Sequence, residues 1–297
     1  MTTFEFRNDA DLDADDHARY CGLVEAAASL VADLSGLALP KRITAAAVTP
    51  AQFIQRQIEH SVLLNRLALN TVSAVPAEAA TAMIDHVRTN VETMVSRFYP
   101  TNRAAIMWRD SEHAELTFMP EVYDQHLHPS ERQLVTVFAH EVTHLAQFAV
   151  RPELAFAPLR CKLLDAIVGL PHEQHRNAAA LIEGHGQYVE RLVAERLCGE
   201  PVIGAIHGEP EPSGLYQELK ADPAAPTNQP GYNTGERFIA AVIEAGGHPL
   251  LQQVLADEDL VPTDADLDDA ALWLTRHRSV VESAVSAPLT APVRSHP

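Results

Sequence analysis

Cysteine is scarce in this chain. Three are present, Cys21, Cys161 and Cys198, scattered and without a Cys-x-x-Cys pair. That excludes a disulfide framework and a cysteine-built zinc site. The three read as small buried apolar residues. Positive charge is also in short supply: 22 Lys and Arg stand against 40 Asp and Glu, a net charge of −18. Such a surface repels phosphate backbones and anionic bilayers, so neither nucleic acid nor a membrane is an expected partner. No run of about eighteen apolar residues occurs, as a membrane-spanning helix would need. The first residues are acidic, with no basic start and no apolar stretch, so no secretory signal is expected and a cytoplasmic location is. The sequence carries no signal of oligomeric state.

What remains is an ordinary globular composition. The 297 residues are 46% hydrophobic and 21% charged, enough to bury a sizeable core. Helical periodicity dominates. A helix is expected from about residue 14 to Leu34, ended by Ser35-Gly36, with an extended connection at Pro40-Lys41-Arg42-Ile43. Thr49-Pro50-Ala51-Gln52 is a helix start, with a capping threonine and a first-turn proline. That helix should reach Asn70, and another should run from Ala77 to Phe98. Ala104 to Trp108 and Ala114 to Phe118 read as a β-hairpin around Arg109-Asp110-Ser111-Glu112. Residues 200–232, rich in glycine and proline, are a candidate lid. Two helical segments, Phe238 to Ala245 and Pro249 to Leu255, are split by Gly246-Gly247, and a last helix starts near Thr263-Asp264. The expectation is an acidic lead over 1–13, one mainly helical domain over 14–286, and a disordered tail over 287–297. His60 and His86 read as surface or capped core residues, and His172 and His175 as part of a helix start.

The distinctive stretch is Phe138-Ala139-His140-Glu141-Val142-Thr143-His144-Leu145-Ala146-Gln147. Residues four apart share a helix face, about 6 Å apart along the axis, so His140 and His144 can hold one metal ion between them. Glu141 lies beside them as a candidate base. This is the zinc-hydrolase arrangement. A helix is required, and Leu134, Val135, Phe138, Val142, Leu145 and Phe148 recur at helical spacing, behind a capping box at Ser130 and Gln133. Catalytic zinc usually has a third protein ligand. The best candidate is Glu183, in Ala180-Leu181-Ile182-Glu183-Gly184-His185-Gly186-Gln187-Tyr188. Two helical glycines cost roughly 1 kcal/mol each, which suggests close approach by another element. His185 is the rival ligand. It sits about 200° around the helix from Glu183, so the two should not share one ion.

At these stretches the chain resembles the zincin-like type 2 metallopeptidases, whose marks are His-Glu-Val-Thr-His and a later Leu-Leu-Glu-Gly-His. Here they read His140-Glu141-Val142-Thr143-His144 and Leu181-Ile182-Glu183-Gly184-His185. Val24 to Arg56, Gly231-Tyr232-Asn233-Thr234-Gly235-Glu236-Arg237-Phe238 and Leu260-Val261-Pro262-Thr263 add to the likeness. The resemblance implies a mainly α fold with a zincin-like core. In it the motif helix packs against the helix of the glutamate ligand, beside a small β-hairpin or sheet. It implies Zn2+ on His140, His144 and Glu183, with Glu141 as base. Family members often carry an acidic residue four positions after the ligand glutamate. This chain has Gln187 there, and Glu190 is the candidate to supply the missing charge; with His185 these form the expected outer layer around the ligands.

The expected chemistry is hydrolysis of an amide bond. Zinc would lower the pKa of its water towards about 7, and Glu141 would accept the proton and deliver it to the leaving nitrogen. Tyr232, Tyr188 and His185, in that order, are candidates to steady the oxyanion. The partner is then a peptide. The alternatives are a small amide substrate, or a metal-stabilised scaffold without turnover.

Overall fold

The computed structural model describes residues 2–199, 212–225 and 229–286, with side chains of the last stretch from residue 233 onward. The expected tail, and residues 200–211 and 226–228 of the Gly- and Pro-rich segment, lie outside the described residues; the described part of that segment holds a helix over Gly214–Ala221 and the start of another at Gln229. The chain runs β1 (Thr3–Asn8), α1 (Ala14–Leu34), β2 (Arg42–Ala47), α2 (Pro50–Asn70), α3 (Ala77–Phe98), β3 (Ala104–Trp108) and β4 (Ala114–Phe118). A single turn, α4 (Pro120–Val122), leads to the motif helix α5 (Glu131–Val150), then α6 (Ala157–Val168) and α7 (Ala178–Cys198). The C-terminal part holds α8 (Gly214–Ala221), α9 (Gln229–Ala256), α10 (Asp264–Asp268), α11 (Ala270–Arg276) and α12 (Arg278–Ser286). The protein is therefore mainly helical. No helix among the described residues is long and apolar enough to cross a membrane.

The helix boundaries follow from their caps. Asp13 accepts hydrogen bonds from the amides of Asp15 and Asp16, so the acidic cluster there starts α1. Thr49 with Gln52, and Ser130 with Gln133, form the two expected capping boxes. In α9 the chain bends at Gly247, whose φ of 66° and ψ of −166° no helix contains, at the expected Gly-Gly break.

The β structure is larger than the expected hairpin. Four strands form one sheet in the order β1-β2-β4-β3, with β1–β2 and β2–β4 parallel and β3–β4 antiparallel. β1 lies within the segment read as a loose acidic lead. Only its Phe6 packs against the core, while Phe4 stays exposed, so its pattern is weak. β2 extends the expected connection into Thr44-Ala45-Ala46-Ala47. Alanine disfavours strands on its own, but here three alanines fill the crowded middle of the sheet. Arg7 of β1 and Arg56 of α2 both pair with Asp9 and with the buried Glu115 of β4, which ties α2 to the sheet.

Two cores result. One lies between the sheet, α1 and α5, and includes Tyr20, Phe118, Phe138 and Val142. The other gathers α7, α9 and the C-terminal helices around Phe238 and Trp273. Helix α7 contributes to both: Leu181 and Ile182 to the second, Val189 and Val193 to the first. Glu183 sits where α7 passes between them.

Candidate metal centre

Helix α5 buries Val142 and Leu145 and turns His140, Glu141 and His144 towards a cavity of about 350 Å³. The two imidazoles lie edge to face, with centroids 4.7 Å apart. Helix α7 crosses them and presents Glu183. Its Oε2 lies 3.3 Å from His140 Nε2 and 3.6 Å from His144 Nε2. One donor atom from each of the three residues lies within 4.8 Å of the others.

The close crossing is made by glycines. A Cβ on Gly186 would sit 2.8 Å from His140 Cε1, so the ring rests on bare backbone. Gly184 serves a different neighbour: its Cβ would lie 2.2 Å from the carbonyl carbon of Gly235 in α9. Gly235 in turn faces the Ala180 carbonyl, where a Cβ would lie at 2.0 Å. The backbones of α7 and α9 thus touch, and Arg191 and Glu236 add an ion pair at 2.6 Å across the same contact.

Both imidazoles are held from behind. His140 Nδ1 donates to Glu190 Oε2 at 3.1 Å, and His144 Nδ1 donates to Gln147 Oε1 at 2.9 Å. The Gln147 amide is itself fixed, because its Nε2 donates to the Ile182 carbonyl at 2.9 Å and to His185 Nδ1 at 3.1 Å. His185 Nε2 donates onward to the Ser35 carbonyl at 3.1 Å. Burial pushes the His185 pKa down to about 3, which keeps the ring neutral as this chain of bonds requires. With their Nδ1 protons so engaged, His140 and His144 turn Nε2 to the common point.

The electrostatics favour positive charge at that point. Burial alone would lower the pKa of His140, but the carboxylates of Glu183 and Glu190, with Glu141 behind them, hold it well above the usual imidazole value. His144 is raised in the same way, burial being outweighed by Glu183. Burial would raise Glu183, yet the His144 and His140 rings hold it well below the carboxylate range. Glu141 goes the other way: burial lifts its pKa, more than the two imidazoles lower it. Among the described residues nothing hydrogen-bonds the Glu141 carboxylate, which also lines the cavity. Two imidazole nitrogens and one carboxylate oxygen, amid surplus negative charge, are a donor set that fits Zn2+.

No family model matches the chain, and no curated protein matches it. A solved structure from Chloroflexus aurantiacus, described as "a putative hydrolase with a novel fold", shares 18% identity with a TM-score of 0.43, over 90% of this chain and 92% of the other.

Not every residue singled out in the sequence reaches the cavity. His185 faces away from the other three, behind Gln147, so it does not compete with Glu183 for the common point. Gln187 is half-buried and makes no hydrogen bond to either imidazole; Glu190 takes that place for His140. Tyr188 is not in the cavity wall, and its ring lies 5.1 Å beneath the Arg191 guanidinium. The side chain of Tyr232 lies outside the described residues. His175 Nε2 donates to the Leu170 carbonyl at 2.8 Å, and His172 lies 3.5 Å from Asp264, consistent with a local structural role. Two roles were not foreseen from the sequence. Gln147 stands three positions after His144, one helical turn on, which was the available signal. His60 is a capped core residue as expected, accepting from the Trp108 N–H at 2.9 Å, but it also lines the cavity.

Proposed function

We propose that this protein is a zinc-dependent hydrolase of amide bonds, a metallopeptidase of zincin type. His140, His144 and Glu183 hold the ion. The reading is supported above all by the approach of two α5 imidazoles and one α7 carboxylate to a common point, with Glu141 beside them in the same cavity wall. Bound zinc supplies Lewis acidity, bringing the pKa of its water towards about 7 and polarising a carbonyl. Glu141 takes the proton of the attacking water on a carboxylate oxygen and returns it to the leaving nitrogen; its raised pKa suits both transfers. Glu190 and Gln147 hold the imidazoles in place. Peptides are favoured over small amides because the edge strand β3 borders the cavity, through Ala104, Ala105, Ile106 and Trp108. Edge strands take extended chains by main-chain hydrogen bonds.

Metal analysis tests the ligand set. Wild type should hold about one zinc per chain, while His144→Ala and Glu183→Ala should each lose it. Full occupancy in Glu183→Ala would overturn the carboxylate ligand. Glu141→Gln should keep zinc and lose at least ~100-fold in turnover of a mixed peptide library. Retained turnover would refute the base, and absence of turnover in the zinc-loaded wild type would favour the scaffold reading.

A further inference from the structure

Within the proposed hydrolase cavity, the part of the wall built by α2 and β3 carries its own unsatisfied polar groups. Trp108 is 7% exposed, and among the described residues its buried Nε1–H has no hydrogen-bond partner. The Oε1 of Gln57 is likewise buried and unpartnered. Both residues line the cavity that holds His140, Glu141, His144 and Glu183. An unmade hydrogen bond on a buried group costs about 1–3 kcal/mol, so two in one wall call for a partner.

His60 adds a third polar group. It lies three residues after Gln57 on the same face of α2. Its Nδ1 accepts the Trp108 main-chain N–H at 2.9 Å. Burial lowers its pKa to about 4, so the ring is neutral near pH 7 and its one proton sits on Nε2. The wall thus offers two N–H donors, Trp108 Nε1 and His60 Nε2, and one acceptor, Gln57 Oε1. The aromatic contacts tie it to the metal ligands: Trp108 lies against Phe148 at 5.7 Å, and Phe148 stacks on His144 at 6.2 Å.

Among the described residues, the rest of this cavity wall is apolar apart from the histidines and carboxylates of the candidate centre. Leu64, Ile106, Leu154 and Ile182 are typical of it. No ion pair awaits a charged substrate group there. Two donors and one acceptor match an amide, whose oxygen accepts two hydrogen bonds and whose N–H donates one.

We propose that Gln57, His60 and Trp108 form a substrate subsite that binds an uncharged amide group next to the scissile bond. The amide oxygen takes the Trp108 and His60 protons, and its N–H is taken by Gln57. The subsite selects neutral amide-bearing substrates over those with an ammonium or carboxylate at that position. It rests on the zinc-hydrolase reading above.

Three hydroxamates on the zinc-loaded full chain test it, by calorimetry. Acetohydroxamate reports on the metal alone. N-acetylalanine hydroxamate adds one neutral amide, and alanine hydroxamate replaces that amide with an ammonium. N-acetylalanine hydroxamate should bind at least about tenfold tighter than acetohydroxamate, and alanine hydroxamate no tighter. Trp108→Phe and His60→Asn should each cut the gain by about fivefold to tenfold, leaving acetohydroxamate binding unchanged. Asparagine keeps the acceptor for the Trp108 N–H and removes the outer donor; His60→Gln supplies a donor in the Nε2 position and should restore much of the gain. Unchanged acetohydroxamate binding also certifies that each variant is folded. An equal gain in wild type and variants, or tighter binding of the ammonium probe, would overturn the subsite while leaving the metal centre standing. No acetohydroxamate binding to wild type would sink the metal reading, and the subsite with it.

Discussion

Gln147 carries more than its single amide suggests. Its Oε1 holds His144, and its Nε2 reaches both the Ile182 carbonyl and His185, so one side chain joins α5 to α7 and, through His185, to Ser35 at the end of α1. Removing an outer partner of a metal-bound histidine commonly costs about 10–100-fold in affinity. Gln147→Ala is therefore expected to weaken zinc binding by that factor, measured by competition with a chromophoric chelator. An unchanged affinity would show that packing alone orients His144. At this scale the sequence was informative where chemistry has a spacing. His140, Glu141 and His144 fall within five consecutive residues of one helix, and Glu183 is followed within three positions by two glycines. The link from Gln147 to His185 and the place of His60 in the cavity wall were not legible, because they depend on partners 38 and 48 positions away.

Elements meet here at glycines, and the two glycines flanking His185 do different work. Replacing either by alanine should gain about 1 kcal/mol of helix propensity if nothing were near. At Gly184 the new methyl would meet the Gly235 backbone at 2.2 Å, which cannot swing aside. Gly184→Ala should therefore destabilise the fold by about 2 kcal/mol or more, read from the urea midpoint. At Gly186 the obstacle is the His140 ring, at 2.8 Å. Gly186→Ala should leave stability nearly unchanged and weaken zinc binding at least about tenfold. A stabilised Gly184→Ala would mean that α7 and α9 do not touch. Helices were the legible elements, since their caps and apolar stripes are local. β1 and β2 were not, because their pairing joins Thr3 to Arg42 across the whole of α1 and leaves little trace in either segment.

Across the whole molecule, the centre spans two cores. His140 and His144 belong to a helix of the first, and Glu183 lies where α7 leaves the second. An ion shared by them would fasten the two, while each core buries its own aromatics without it. Stripping the metal should thus lower the melting temperature without unfolding the chain. With free zinc a thousandfold above its dissociation constant, the loss is about 4 kcal/mol, or roughly 10 °C at this size. Scanning calorimetry with and without a chelator checks this. An unmoved transition would mean that no ion bridges the cores.

The bond from Trp108 to His60 has a bearing on self-association. β3 is one of the two margins of the sheet, with β1 at the other, and such margins invite other copies to add strands and grow into fibrils. Because the amide of its last residue is already engaged by α2, an incoming strand finds an incomplete ladder and loses register there. A short segment can still lie along Ala104 to Ile106, but a long one cannot propagate past the tryptophan.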